Sequence, residues 1–206
     1  MLVMMCGWQT TEEIGDPGNT CTWKQTPKNS GPSATIDFIV KKTGQKQIYH
    51  VGHSQDTLIA FAAFATNPQL AEKIKINFAL APIATAKYVT SVLRFTCYID
   101  PQLFKMANKG TCQAYDWGSP SLNILHHNQL TPPLYHVEDV RVPTAMWSGG
   151  RDILVDPIDI KNLEPRVSNL IYHKKIPSYN HLDFMLGLDV YDQIDTEIIM
   201  MMNEAQ

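Results

Sequence analysis

The sequence predicts an α/β fold with a mostly parallel β-sheet. Short β-prone runs alternate with helical stretches at spacings typical of βαβ units, in which a helix connects two parallel strands. The apolar run over 76–82 (INFALAP) has the pattern of a buried strand, and it follows a long apolar helical stretch over 57–66. With 206 residues, 44% of them hydrophobic and 18% charged, the chain has enough apolar side chains to form a core.

Charge and cysteine content argue against several function classes. A formal net charge of −3 gives no basic surface for nucleic acid or for an anionic membrane. The four cysteines contain no CxxC pair and the histidines have no HExxH spacing, so we expect no metal and no cofactor. No apolar run reaches the ~18 residues of a transmembrane helix. The N-terminal run MLVMMC lacks the basic start and the length of a signal peptide, so we expect none in this chain.

The first half of the chain begins with a segment over 1–32 that is expected to be irregular, because residues 9–32 are rich in Gly, Pro, Asn and Thr, and the folded domain is expected over 33–206. A helix is predicted from Ser33, as its cap, to a stop at Gly44, because residues 36, 39 and 40 place apolar side chains on one face. A β-prone strand over 47–52 and the apolar helix over 57–66 follow. Asn67 and Pro68 are typical of a cap and first position, which predicts a short helical piece over 68–73.

The second half of the chain contains the remaining predicted elements. Residues 84–135 carry turn signals and are interpreted as an irregular excursion from the sheet. Strands are predicted over 142–147 and 170–176, with a helix over 157–163 between them. A last helix is predicted over 190–202, with Ile194, Ile198 and Met201 on one side.

The motif Gly52-His53-Ser54-Gln55 lies between a predicted strand and a predicted helix. A serine nucleophile on such a strained turn needs small residues two positions before and after it, because strand and helix are crowded there. Gly52 meets the first requirement, and Asp56 occupies the second position. A strand, GHSQ and an apolar helix in direct succession predict a nucleophile elbow, and the alternative is a serine that only caps a helix.

A serine nucleophile needs a base and an acid, which follow it in chain order in α/β-hydrolases. Asp152 follows a predicted strand and a Gly-Gly turn, where a strand end presents side chains to a crevice. Its rivals Asp156 and Asp159 fit the cap and first turn of the next helix better. His181 lies in the loop after the last strand, although alone it could be an ordinary loop histidine. We predict Ser54 as nucleophile, His181 as base and Asp152 as the acid that orients it.

Further motifs occur in a fixed order over most of residues 18–203. They are GNT, TIDFIVKKTGQ, GHSQ followed by ALAP, AYDWGSP, QLTPPLY, VPTAMWSGGRD, NLIYHKKIP and NHLDFMLGLDVY. This order resembles the mammalian acid lipase family, which includes gastric and lysosomal acid lipases and the lipase members J, K, M and N. The resemblance implies an α/β-hydrolase fold, hydrolysis of acyl esters such as triglycerides or cholesteryl esters, transient contact with a lipid interface, and a secreted or lysosomal protein.

The resemblance also implies roles for single residues. Ser54, Asp152 and His181 fall on the triad positions of the family, and the backbone N–H of Gln55 would be one oxyanion donor. Thioesterase or transacylase chemistry would use the same triad.

The sequence departs from the family pattern in three places. Asp56 replaces the last glycine of GHSQG, and we expect it to clash with the neighbouring strand or to displace the helix. Only 53 residues precede Ser54 and no His-Gly dipeptide occurs, so we expect the early strands and the second oxyanion donor to be missing. The strand before Ser54 would then be a bare edge unless residues 1–5 or another segment pair with it. The cap is expected to be reduced to a remnant over about 88–130, including 104–106. An inactive lipase-like protein that binds lipid or a partner is therefore the alternative to an incomplete but active α/β-hydrolase.

Overall fold

The computed structural model of the chain describes residues 2–5, 32–85, 87–88, 111–114 and 116–205. Its five strands are β1 (Leu2–Met5), β2 (Ile48–His53), β3 (Ile74–Leu80), β4 (Thr144–Gly149) and β5 (Leu170–Ile176). They form one sheet in the order β1-β2-β3-β4-β5, and every neighbouring pair is parallel. The predicted α/β fold with a parallel sheet is confirmed.

Seven α-helices lie among the described residues: α1 (Pro32–Thr43), α2 (Gln55–Thr66), α3 (Pro68–Ala71), α4 (Pro120–His127), α5 (Pro157–Leu163), α6 (Asp183–Leu186) and α7 (Thr196–Glu204). A π-helical turn over Tyr191–Asp195 leads directly into α7. The longest of these helices has 12 residues, so none in this part of the chain is long and apolar enough to cross a membrane.

Helix α4 lies within the segment that we interpreted as irregular. Ser119 caps it, accepting a hydrogen bond on Oγ from the N–H of Leu122 at 3.3 Å, and Pro120 occupies its first position. Asn128 ends the helix in the left-handed conformation with φ 57°. Ser-Pro is therefore a helix start here rather than a turn signal. The predicted cap at Asn67 is confirmed, because its Oδ1 accepts from the N–H of Leu70 at 3.1 Å.

The sheet is covered on both faces, which explains why its central strands are apolar throughout. One face packs against α1 and α2 through Ile36, Phe61 and Phe64. The other face packs against α7 through a cluster that includes Phe78, Trp147, Ile194 and Ile198. Six of six residues are buried in both β2 and β4, so the strands that lead to Ser54 and Asp152 are held rigidly.

Strand β1 flanks the strand that carries the GHSQ motif. It pairs in parallel with β2, with Met5 opposite Gly52, so β2 is not an edge strand. The segment over 1–32, expected to be irregular, therefore contains a strand at 2–5. The rest of that segment and most of the expected cap remnant, including 104–106, lie outside the described residues.

Candidate active site

Ser54 occupies a sharp turn between β2 and α2. Its backbone has φ 58° and ψ −120°, a strained conformation for a residue with a side chain. Hydrogen bonds to β3, to α2 and to the segment after β3 hold the turn. The N–H of Ser54 donates to the carbonyl of Leu80 at 3.0 Å. The hydroxyl of Thr57 donates to the carbonyl of Ser54 at 2.5 Å and accepts from the N–H of Ile83 at 2.8 Å. The geometry is that of a nucleophile elbow, with a half-buried serine at its tip.

Gly52 is required by this turn. A Cβ on Gly52 would lie 2.9 Å from Cε1 of His50 and 3.4 Å from the Cβ of Asp56. The closest contact would be with a side chain of the same strand, and the helix would lie at van der Waals distance, so a small residue fits this position best.

The side chains of Ser54, His181 and Asp152 form one chain of hydrogen bonds. Nε2 of His181 lies 2.7 Å from Oγ of Ser54, and Nδ1 of His181 lies 2.9 Å from Oδ2 of Asp152. Oδ1 of Asp152 accepts from the backbone N–H groups of Leu154 and Val155, each at 2.8 Å. Both oxygens of the buried carboxylate are thus hydrogen-bonded. Because Asp152 accepts at Nδ1, the neutral imidazole is left with Nε2 free to accept the serine proton.

Two glycines allow the Asp152 turn to pack against the His181 loop. A Cβ on Gly149 would lie 2.5 Å from the carbonyl oxygen of Tyr179, and one on Gly150 would lie 2.6 Å from the carbonyl oxygen of Pro177. The N–H of Arg151 donates to the carbonyl of Tyr179 at 3.0 Å. The Gly-Gly turn noted in the sequence therefore brings the acid and the histidine together.

The rival acids have the structural positions that the sequence analysis gave them. Asp156 caps α5, with Oδ1 accepting from the N–H of Ile158 at 2.8 Å. Asp159 lies in the first turn of α5 and accepts from the hydroxyl of Thr85 and the N–H of Tyr88. Neither is bonded to His181.

A second serine, histidine and carboxylate also lie in a row, with the serine on β4, the histidine on β5 and the carboxylate directly after α5. Oγ of Ser148 is 2.9 Å from Nε2 of His173, whose Nδ1 is 3.1 Å from Glu164. Ser148, however, lies inside a regular strand and is only 2% exposed. Ser148 therefore lacks the strained turn and the solvent access that a nucleophile needs. Its row of side chains provides a comparison for the row that begins at Ser54.

Gln55 is the first residue of α2. The first N–H groups of a helix have no acceptor within it and carry partial positive charge, so they can stabilise an anion. The N–H of Gln55 adjoins Ser54, which is the position that the resemblance implied for an oxyanion donor. Among the described residues no cluster of His, Cys, Asp or Glu could hold a metal ion.

Asp56 is buried directly below the elbow, with 4% of its surface exposed. The expected clash with the strand is absent, because the Cβ of Asp56 would be at van der Waals distance, 3.4 Å, even from a Cβ built on Gly52. The expected displacement of the helix stays a prediction. Its Oδ2 has no hydrogen-bond partner in the described part of the chain. Burial raises the pKa of Asp56 from 3.8 to about 6, so its charge depends on pH in the mildly acidic range.

His53 was named in the sequence analysis only as part of the motif, and Thr57 was not singled out. His53 lies 2.9 Å from the backbone carbonyl of His181, which is 128 residues away in the chain. No local pattern could have indicated this contact. The hydroxyl of Thr57 bonds a carbonyl only three residues before it. A threonine in the first turn of a helix can make such a bond, so its position in the sequence is a weak indication of this contact.

Known proteins resemble this chain in sequence and in fold. Lipase member K of Mus musculus is 38% identical over 89% of this chain, and human gastric triacylglycerol lipase is 37% identical over 83%. Human lipase member J is 35% identical over 81% of the chain. These alignments cover 64%, 61% and 65% of the three relatives, so the chain spans less than two thirds of their length. No family model matches the sequence.

Solved structures show the same fold at low identity. The monoacylglycerol lipase of Paleococcus ferrophilus superposes with a TM-score of 0.54 at 15% identity, covering 84% of this chain and 74% of that one. An alpha/beta hydrolase enzyme from a lagoon sediment metagenome has a TM-score of 0.50 at 15% identity, covering 82% and 68%. The fold is thus an incomplete α/β-hydrolase fold. The sequence matches add a closer similarity: the chain resembles these members of the mammalian acid lipase family at 35–38% identity.

Proposed function

We propose that the protein is a serine ester hydrolase that acts on acyl esters of neutral lipids, such as triglycerides or cholesteryl esters. The observation that carries this proposal is the hydrogen-bonded chain from Ser54 Oγ through His181 to Asp152, with distances of 2.7 and 2.9 Å, at a strained elbow. The choice of substrate rests on the names of the relatives, among them a triacylglycerol lipase. By the same kinship we propose that the protein is secreted or lysosomal.

In the proposed mechanism His181 is first a base and then an acid. Nε2 of His181 takes the hydroxyl proton while Oγ of Ser54 attacks the ester carbonyl, and the N–H of Gln55 stabilises the oxyanion that forms. Collapse of this intermediate breaks the bond to the alcohol, which leaves with the proton from His181. Water then attacks the acyl-serine by the same route and releases the fatty acid. Asp152 holds the imidazole and stabilises its charged form.

The test is covalent labelling by a fluorophosphonate together with hydrolysis of p-nitrophenyl butyrate. We expect Ser54→Ala to abolish both. The matched control is Ser148→Ala, which removes the serine of the second hydrogen-bonded row and is expected to retain both. Absence of Ser54-dependent labelling in folded protein would overturn the hydrolase proposal.

The second candidate is an inactive lipase-like protein that binds lipid or a partner. It is favoured by the buried Asp56 carboxylate below the elbow and by exposed apolar side chains directly after His181, at Leu182, Leu186 and Leu188. Co-sedimentation of the Ser54→Ala variant with triolein-containing phospholipid vesicles tests binding without turnover. Binding by a wild-type protein that does not label with the fluorophosphonate would favour this second candidate.

A further inference from the structure

The ring of His53 lies between two other rings at the end of β2. Its centre is 4.8 Å from the ring centre of His181 and 6.1 Å from that of Phe184. Only 9% of its surface is exposed. The mechanism proposed above gives this buried imidazole no task, although it contacts the base directly.

His53 is a hydrogen-bond donor to the backbone of His181. Its Nε2 lies 2.9 Å from the carbonyl oxygen of His181, and a carbonyl can only accept, so the proton must be on Nε2. Burial lowers the pKa of His53, partly offset by this bond. A neutral ring with its proton on Nε2 therefore fits the site, and it adds no charge beside the imidazolium that His181 becomes during the reaction.

The loop that carries His181 is attached to two parts of the molecule. Towards the Asp152 turn it accepts from the N–H of Arg151 and, through the side chain of Asn180, from the N–H of Ile153 at 3.3 Å. Towards the elbow, the described residues provide two polar contacts. One joins the side chains of His181 and Ser54, and the other is the bond from His53 to the carbonyl of His181.

These two contacts with the elbow differ in the acyl-enzyme. Oγ of Ser54 is then bonded to the acyl carbon and has no proton to donate, so its hydrogen bond to Nε2 of His181 is lost. The bond from His53 involves only a ring N–H and a backbone carbonyl, neither of which reacts. It persists while His181 has to activate water.

We propose that His53 is a positioning residue that holds His181 over Ser54 in the acyl-enzyme. In the step that it supports, Nε2 of His181 takes a proton from water while the water oxygen bonds to the acyl carbon. The bond from that carbon to Oγ of Ser54 then breaks, and Oγ regains the proton from His181. This inference rests on the proposed ester hydrolysis, and it assigns His53 mainly to the second half of that reaction.

The kinetic test compares two amides at position 53 that differ in reach. In His53→Gln the amide nitrogen is as many bonds from the backbone as Nε2 of histidine, whereas in His53→Asn it is one bond closer. We measure the burst and the steady state of p-nitrophenyl butyrate hydrolysis. For His53→Asn we expect deacylation to slow on the order of 10- to 100-fold, since a small displacement of a catalytic group costs up to about 100-fold. We expect the acylation rate of His53→Asn to fall less than its deacylation rate. Both rates of His53→Gln should remain near those of the wild type.

The matched control is His50→Asn. His50 is also a buried imidazole of β2, but it bonds Oδ1 of Asn77 at 2.8 Å, away from His181. Its replacement is expected to lower the melting temperature without changing the ratio of deacylation to acylation rates. If His53→Asn and His53→Gln have equal rates, or if acylation and deacylation fall together, the inference is overturned.

A second readout does not need turnover. The Nδ1 proton of His181 is held by Asp152 in a buried site, so it should exchange slowly with water and give a proton NMR signal that is missing in His181→Gln. We expect the signal to persist in His53→Gln and to broaden in His53→Asn. An unchanged signal in His53→Asn overturns the inference. If the wild-type protein fails to label at Ser54 but the signal responds as expected, the hydrolase proposal fails and the positioning role of His53 stands.

Discussion

Asp56 packs against Gly52 below the elbow, with its Cβ 3.4 Å from the position that a Cβ on Gly52 would occupy. The two residues are thus neighbours at the point where strand and helix meet. This contact places an acid with a pKa of about 6 in the first turn of α2, one residue after Gln55, the proposed oxyanion donor.

Asp56→Asn is expected to accelerate fluorophosphonate labelling most at neutral and higher pH. Above about pH 6 the wild-type carboxylate is charged, and at about 7 Å and an effective dielectric of about 20 it opposes a developing oxyanion by about 2 kcal/mol. That repulsion corresponds to tens-fold in rate. The ratio of variant to wild-type labelling rates should therefore rise from near one at about pH 5 to about 10-fold at about pH 7, where about a tenth of the wild-type carboxyl groups is still protonated, and to tens-fold above about pH 8. Other ionisations are common to both proteins and cancel in this ratio.

The control for this experiment is Asp156→Asn, which also neutralises an acid at a helix start but lies away from the elbow. The ratio of the labelling rate of Asp156→Asn to that of the wild type should not change with pH. A flat ratio for Asp56→Asn as well would show that the charge of Asp56 does not affect the reaction.

The same carboxyl group should make the stability of the fold depend on pH. The pKa of Asp56 is about 6 in the folded protein against 3.8 for a free aspartate, so between these values the folded state binds more protons than the unfolded state. The free energy of unfolding therefore falls as pH rises through this window. A shift of this size corresponds to about 3 kcal/mol.

Urea unfolding of wild type and Asp56→Asn at several pH values measures this effect. The free energy of unfolding of the variant, relative to that of the wild type, should rise by up to about 3 kcal/mol between about pH 4 and about pH 7. Only the wild type has to bury a charge at the higher pH. A difference between the two proteins that is constant across this range contradicts the expectation.

The sequence predicts those parts of this site that depend on local patterns. A β-prone run, GHSQ and an apolar helix in succession indicate the turn at Ser54. The Gly-Gly turn after β4 favours Asp152 over Asp156 and Asp159, whose positions are typical of a helix start. Each of these features is specified by residues that are close together in the chain.

The features that were missed depend on contacts between distant residues or on ambiguous signals. β1 is a run of four residues whose strand character depends on pairing with β2, and His53 contacts a carbonyl 128 residues away. Ser119 and Pro120 are equally common in turns and at helix starts, which concealed α4. The clash expected of Asp56 failed because the space beside Gly52 is a property of the packed strand and helix.

Asp152→Asn is expected to lower the rate of ester hydrolysis by about 10³- to 10⁴-fold, because an amide does not hold the tautomer of His181 that accepts the serine proton. Asp156→Asn is the control, since asparagine caps a helix as well as aspartate does and should leave both rate and stability nearly unchanged. The rates of p-nitrophenyl butyrate hydrolysis decide the assignment. Equal losses in the two variants would argue against Asp152 as the orienting acid.

Gly149→Ala is expected to separate the acid from the base. The added methyl group would lie 2.5 Å from the carbonyl oxygen of Tyr179 and 3.2 Å from the Cβ of Asp152. The His181 loop must therefore move, which costs about 1–3 kcal/mol of stability for an overpacked site. A displacement of about 1 Å between Asp152 and His181 should lower the hydrolysis rate by about 100-fold.

Gly44→Ala provides the comparison for Gly149→Ala. Gly44 has φ +70° with no atom within 4 Å of an added Cβ, so alanine there costs about 1–2 kcal/mol of backbone strain far from the site. Melting temperatures and hydrolysis rates of the two variants separate general destabilisation from displacement of the triad. A similar melting temperature with a rate loss confined to Gly149→Ala is the expected result. If Gly149→Ala retains the wild-type rate, close packing at Gly149 does not set the distance between Asp152 and His181.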